Sequence, residues 1–441
     1  MNAVDRWHQL LEAKKADYSA GVAAFRETLY AARVRFGDRH LCNHLRPKFL
    51  TGAEEANLRA VAEAVLSGIM EAKDRLLGDP HLMAMLGVRE EEKALIAIDP
   101  GYAHIAPCVR LDSFITDHGP QFVELNGECP AGPAYSQVLA GHFDKHPLMA
   151  EFRRHHKVRF IETLPPLLET LLACYAEWGG KKTPTIGIFD YDNLPTIHEF
   201  ELCRQYFESR GYPTVVADPR TVAYDGESLV AGGRKIDLVY RRVLVNEFLE
   251  RYDQVKALHL AVRDRKVCMV NPFRSKLVHK KGIFAVLTSD GRDAWLSPKN
   301  RDLIDRAVPW TRRLEEQKTF FEGKEIDLVP YVLKNRETIV LKPNDEYGGK
   351  GVILGWENDQ KEWENHVASA VGGDYVVQNR LRLIPELFPS MLRDLELDTL
   401  FVDLDPYMYR GKMVGALARL GAGGLCNVTS GGGQVPLFVV D

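Results

Sequence analysis

Nothing in this chain approaches the roughly 18 consecutive apolar residues of a membrane-spanning helix. Its N-terminus, "MNAVDRWHQLLEAKKAD", has no apolar signal core either. A basic surplus is also missing. The 57 Lys and Arg are outnumbered by 61 Asp and Glu, for a formal net charge of −4. That argues against a nucleic-acid or anionic-membrane partner, since both want a basic face. Basic runs such as "RDRK" at 263–266 read as solvated surface. Cysteine is sparse and scattered. Seven residues form no C-x-x-C pair and no zinc spacing, which points to reduced thiols and a cytoplasmic protein. Internal repeats, low-complexity tracts, a Walker loop and a G-x-G-x-x-G turn are all absent.

What remains is ordinary soluble-domain composition, 45% hydrophobic and 27% charged, over 441 residues. That length is enough for two or three domains. Residues 3–36 carry a helical stripe of Trp7, Leu10, Leu11, Tyr18, Val22, Phe25 and Leu29. "TGAE" at 51–54 is a capping box opening a helix to about Leu76, with Leu58, Val61, Val65 and Ile69 inward. A helical stretch is expected over 146–178. Strand and helix then alternate through 184–270, which predicts a small α/β unit with parallel strands. Further on, Ser297-Pro298 opens a helix. Strands are expected at 338–342, 351–355 and 374–379, with a helix at 359–371 between the last two. Two strands joined by a turn follow, and the chain ends in "NVTSGGGQVPLFVVD".

The segment "CVRLDSFITDHGPQFVELNGECPAG" reads as a hairpin. Centred near His118, it sets Asp112 opposite Glu124 and Arg110 opposite Asn126, all on one face. Opposed like charges destabilise a pair, so something positive belongs between the carboxylates. Two carboxylates plus an amide oxygen suit Mg²⁺. Arg110 bridging the carboxylates on a solvated face is the alternative.

"LKPNDEYGGKGV" joins two strands. Its glycines let backbone N–H groups approach an anion and let the loop move. Lys342 precedes Pro343, where the chain is held extended. The alternative is a plain hairpin turn. His279, Lys280 and Lys281 precede "GIFAVL", and Arg241 and Arg242 end a strand where α/β domains place ligand groups. Surface charge and salt bridges are the bland readings of these. Cys129 is read as a passive thiol.

Together these motifs resemble the ATP-grasp superfamily. "VLKPNDEYGGKGVILG", "YVVQNRL", "ARLGAGGLCNVTSGGG", "RLD" and "ELNGECPAG" look like its Lys-Pro strand and glycine loop, adenine strand, Arg…Asn pair and metal strands. The last keeps the Pro and Gly that trail Glu-x-Asn in D-alanine–D-alanine ligase. The order is rotated, with the metal strands early, as in the circularly permuted ATP-grasp proteins that include glutathionylspermidine synthase. The fold class implied is α/β (α+β), a circularly permuted ATP-grasp fold. Residues 1–150 would supply helices and Mg²⁺-binding strands, 151–270 a small substrate domain, and 271–441 the nucleotide lobe and the remainder.

The resemblance implies an ATP-dependent carboxylate–amine ligase, with ATP and two Mg²⁺ as cofactors and a small-molecule or peptide acid and an amine as substrates. A small-molecule kinase and a non-catalytic nucleotide binder are the alternatives. Lys342 and Lys281 (or Lys280) would touch phosphates. Tyr347, Gly348, Gly349, Lys350 and Gly351 would close over them. Gln378, Asn379 and Leu381 would border adenine, and Asp112, Glu124 and Asn126 would ligate Mg²⁺. Arg110, Arg419 and Asn427 would sit near the phosphates. The family's hinge usually carries Glu after the Gln. Asn379 stands there instead, which leaves the ribose contact unassigned.

Overall fold

The computed structural model describes residues 2–423, 426, 428 and 431–441. The N-terminal stripe folds as two helices, Ala3–Ala13 and Lys15–Ala31, rather than one through residue 36. They break at Lys14, whose backbone leaves the helical region. Residues 35–40 form a tiny hairpin. Trp7, Leu11, Tyr18 and Leu29 are buried, and the Trp7 indole donates to the Leu45 carbonyl at 2.9 Å. The capping box at Thr51 and Glu54 starts the helix Gly52–Gly78, with Leu58, Val61, Val65 and Ile69 in the core.

A six-stranded antiparallel sheet is the centre of the molecule. Its main path runs Gly433–Val435, Lys412–Gly421, Leu397–Tyr409, Cys108–Thr116, Gly119–Asn126, and Glu386–Pro389 flanks the start of the long strand. Strands almost 300 residues apart in sequence are therefore neighbours: Tyr407 pairs with Arg110 and Asp403 with Phe114.

Three smaller layers surround this sheet. An antiparallel sheet of Thr311–Arg313, Tyr375–Asn379, Ile339–Pro343 and Ile353–Leu354 packs on the helices Leu328–Lys334 and Gln360–Ala370. A parallel sheet runs Cys268–Val270, Leu238–Arg241, Ile186–Phe189, Thr214–Ala217. Alternation sorts its side chains: Ile186, Ile188, Leu238 and Tyr240 meet the helices Leu164–Trp178 and Ile197–Ser209, whereas Phe189, Val239 and Met269 meet Tyr252–Arg263. In the third layer the strand Leu437–Val440 lies between Lys48–Thr51, parallel, and Val158–Phe160, antiparallel.

That last pairing corrects the reading of 146–178 as one helical stretch. It comprises Pro147–Phe152, the strand Val158–Phe160 and a second helix, Leu164–Trp178. The strand forms because a partner from the far end of the chain satisfies its backbone, which local periodicity cannot register. The expected strand at 351–355 shortens to Ile353–Leu354, because Gly351 sits at φ +72° and Gly355 opens a 3₁₀ turn. Among the described residues no helix is long and apolar enough to cross a membrane, and all seven cysteines are free.

Candidate active site

The early hairpin reaches its pairing by a different route from simple symmetry. Its turn is the two residues Asp117-His118, with Thr116 opposite Gly119 and Ser113 opposite Phe122. A bulge at Val123 then shifts the register by one, which puts Asp112 opposite Glu124 and Arg110 opposite Asn126. Without that extra residue Asp112 would face Val123. The Val123 carbonyl accepts from the Lys342 ammonium at 3.2 Å, so the bulge also ties the hairpin to the Lys-Pro strand.

Asp112 is the hub of a charged cluster. Arg110 holds it bidentately at 2.8 and 3.0 Å, the Asn126 amide donates at 2.9 Å, and Arg419 donates at 2.7 Å. Arg419 stands directly opposite Asp403 on the long-strand pair and bonds it at 2.6–3.0 Å, with Asp405 at 2.9 Å. Burial by itself would raise the Asp112 carboxyl, but Arg110 and Arg419 overturn this and hold it well below the usual range. Burial does prevail at Asp403, pushed up to about 6 against Arg419, and at Asp405, raised well above the ordinary value.

The lysines close the other side. The Lys342 ammonium donates to Gln378 Oε1 at 2.7 Å, and Gln378 is itself oriented by donating to Thr311 Oγ1 at 3.0 Å. Burial lowers Lys342 to about 8, partly opposed by Glu124. Lys281 lies 3.3 Å from Glu124 and donates to the Glu346 carbonyl at 2.5 Å. Its neighbour Lys280 turns away into a buried network with Glu92 and Asp345, at 3.2 and 3.1 Å. Of the two candidate lysines, then, Lys281 is the one beside the carboxylates. Four carboxylates (Asp112, Glu124, Asp403, Asp405) face four cations (Arg110, Arg419, Lys281, Lys342), and burial drives Asp405 toward its neutral form.

The glycine loop is anchored at its base and open at its tip. Asn344 bonds Gly282, Leu86 and Asp374, and Asp345 pairs with Lys276 at 2.5 Å. Gly348, Gly349 and Gly351 all have positive φ. Tyr347 is exposed, and Lys350 points to solvent beside Glu346 at 3.3 Å.

Two cavities meet at the cluster. The larger, about 570 Å³, is lined by Val340, Lys342, Gly349, Leu354, Gln378, Asn379 and Leu381. The smaller, about 370 Å³, is lined by Arg110, Asn126, Cys129, Asp190, Arg242 and Tyr347, among others. Asp112, Glu124 and Arg419 belong to both walls. The structure thus gathers Arg110, Asp112, Glu124, Asn126, Lys281, Lys342, Gln378 and Arg419, places Tyr347–Gly349 on the rims, and leaves Lys350 outside. Gly351 packs against Pro343 behind the loop. Asn427 lies outside the described residues.

Sequence reading missed Asp403 and Asp405, although "FVDLDPY" alternates and would have put both on one face. It also missed the side-chain role of Gln378. Arg241 is spent on Glu128 at 2.8 Å inside the protein, and Arg242 reaches the smaller cavity. Burial pushes the Cys129 thiol up to about 12, which keeps it a passive neutral group.

Two lysines beside a cluster whose carboxylates are already matched by arginines can orient a polyanion in the larger cavity while a second molecule approaches from the smaller one. No protein-family model matches the chain, and no curated protein matches it. Among solved structures it is similar to a glutathione synthetase-like effector from Globodera pallida in its apo form. The TM-score is 0.62 at 15% identity, covering 96% of each chain, which is a likeness of fold.

Proposed function

We propose that this chain is an ATP-dependent carboxylate–amine ligase of ATP-grasp type, acting through an acyl phosphate. One observation carries the reading: two cavities share a single wall of Asp112, Glu124 and Arg419, with Lys281 and Lys342 beside it. The name of the structural neighbour, glutathione synthetase-like, points the same way. In this reading the larger cavity takes the nucleotide, adenine lying against Val340, Leu354 and Leu381. The unit 151–270 supplies the acceptor side, and the rotated motif order marks a circularly permuted, glutathionylspermidine synthase-like arrangement.

Mg²⁺ fits part of the expected ligand set. Among the described residues the one-fifth-exposed Glu124 side chain has a single 3.3 Å ion pair, and the Asn126 carbonyl is left free when its amide donates to Asp112. Asp112 already accepts four hydrogen bonds, so it would serve as a ligand only by releasing one of them. Among the described residues no group of three or more His, Cys, Asp or Glu forms a ready metal cage. Glu124 and Asn126 would therefore hold the ion, which would screen phosphate charge.

The substrate carboxylate attacks the γ-phosphorus and ADP leaves with the P–O bond electrons. The amine nitrogen then attacks the acyl carbon, forming C–N, and phosphate leaves carrying the nitrogen's proton. Lys342, Lys281 and Arg419 neutralise the developing charge, and the glycine loop excludes water. The test is trapping. With Mg-ATP, a panel of amino acids and short peptides, and hydroxylamine, wild type should give a hydroxamate together with ADP. A stable phosphate ester would mean a kinase, and nucleotide binding with no ADP from any acid would mean a binding protein.

A further inference from the structure

The smaller cavity carries a charge that the active-site cluster does not explain. Most charges on its wall are matched. Arg110 pairs with Asp112, Glu124 with Lys281, and Arg419 with Asp403. Arg242 donates to the Pro130 carbonyl and the Tyr240 hydroxyl, both at 2.9 Å, and faces Glu199 at 3.9 Å. Two carboxylates are left over, both from the small parallel domain. Asp190 follows the C-terminal end of the strand Ile186–Phe189, where open parallel sheets bind ligands. Glu247 lies on the short helix Val245–Glu250.

Asp190 accepts from the Tyr191 N–H at 2.9 Å, and Glu247 from the Tyr347 hydroxyl at 3.5 Å. Among the described residues neither is in an ion pair. Unpaired carboxylates in a recess are costly. His279, 5% exposed, lines the same cavity; among the described residues its buried Nδ1 has no partner, and burial lowers its pKa so that the ring is neutral.

We propose that the smaller cavity takes a substrate bearing a free ammonium group, held between Asp190 and Glu247, with the neutral His279 ring as part of its wall. This rests on the ligase reading only for the identity of that substrate as the acceptor; the cation site stands on the cavity itself. A compact amine fits the volume, which is at the small end of ligand pockets. Tyr347, which reaches both Glu247 and the rim of this cavity, would then bring the glycine loop against the bound amine.

The site is pH-dependent in a defined direction. Burial raises Asp190 to about 7, with Arg242 opposing and Glu247 and Asp218 reinforcing; burial also raises Glu247, with Arg251 and a backbone hydrogen bond at Leu244 opposing and Glu250 and Glu128 reinforcing. The Cys129 thiol, raised to about 12, stays neutral below pH 8. Protonation as pH falls through 7 therefore removes the anion that an ammonium needs.

The experiment is calorimetric titration of the full chain with n-butylammonium chloride, and with n-butanol as the neutral isostere. Nucleotide affinity is measured separately with a non-hydrolysable ATP analogue. Butylammonium is expected to bind wild type with a Kd of about 1–10 mM at pH 8, and butanol far more weakly. The Asp190→Asn/Glu247→Gln double variant should lose at least about tenfold of the ammonium affinity while its analogue affinity is unchanged. From pH 6 to 8 wild-type affinity should rise about tenfold, following ionisation of a group at pKa about 7. Equal binding of butanol, an unaffected double variant, a flat pH profile, or no butylammonium binding would each overturn the proposal. Loss of analogue binding in wild type would instead overturn the nucleotide reading and leave the cation result to stand by itself.

Discussion

Lys342 has one ammonium facing three acceptors of different kinds: a carbonyl, an amide oxygen and, in the proposed complex, a phosphate. Burial lowers it to about 8, so it is charged below that pH and neutral above it. A triphosphate binds the charged form. ATP-analogue affinity should therefore fall roughly tenfold between pH 7 and 9, and Lys342→Met should both weaken binding and flatten the profile in calorimetry. Stability moves the other way. The unfolded lysine holds its proton to about 10.4, so between about 8 and 10.4 the unfolded state binds more protons and this group makes stability rise with pH. The wild-type melting temperature should gain on that of Lys342→Met across the window. Glu124 tests the other side of the cluster. Glu124→Ala should cut turnover by about a hundredfold, or about 3 kcal/mol in the barrier, with circular dichroism and melting little changed because the side chain is partly exposed. Wild-type-like turnover would remove Glu124 from the chemistry.

The two elements that matter most are the hairpin and the glycine loop, and they differ in how much local sequence reveals. The alternation around "TDHGPQ" marks a hairpin, but its two-residue turn alone would set Asp112 opposite Val123. The bulge at Val123 is not legible locally, because an extra residue is stabilised by what it meets, here the Lys342 ammonium. The loop announces itself by glycine, and Gly351 shows why: its φ is +72°, and a Cβ would lie 2.7 Å from the Pro343 ring. Gly351→Ala combines left-handed strain of about 1–2 kcal/mol with that contact. It should lower ATP-analogue affinity about tenfold and the melting temperature by only a few degrees, the strain being confined to the loop's packing on Pro343. Differential scanning fluorimetry with and without nucleotide separates the two effects.

At the scale of the molecule, the strand Leu437–Val440 joins the N-terminal strand Lys48–Thr51 to Val158–Phe160, with all four of its side chains buried. Burial of each such side chain is worth about 1.5–3 kcal/mol, so together they match the about 5–15 kcal/mol by which a domain is stable. Truncation after Pro436 should abolish cooperative unfolding. A chain that still melts cooperatively near the wild-type temperature would show this layer to be dispensable.

Local signals sufficed wherever a segment's own chemistry decides its shape: the capping box at Thr51, the glycine loop, the parallel strands of 184–270, and the existence of the early hairpin. Contacts between distant segments settled the rest. The break in 146–178, the partnership of Gln378 with Lys342, the choice of Lys281 over Lys280, and the closure of Asp403, Asp405 and Arg419 on Asp112 each depend on a partner tens to hundreds of residues away. Burial and counter-charges are properties of the assembled interior, so which ionised groups pair emerges only once the sheets have come together.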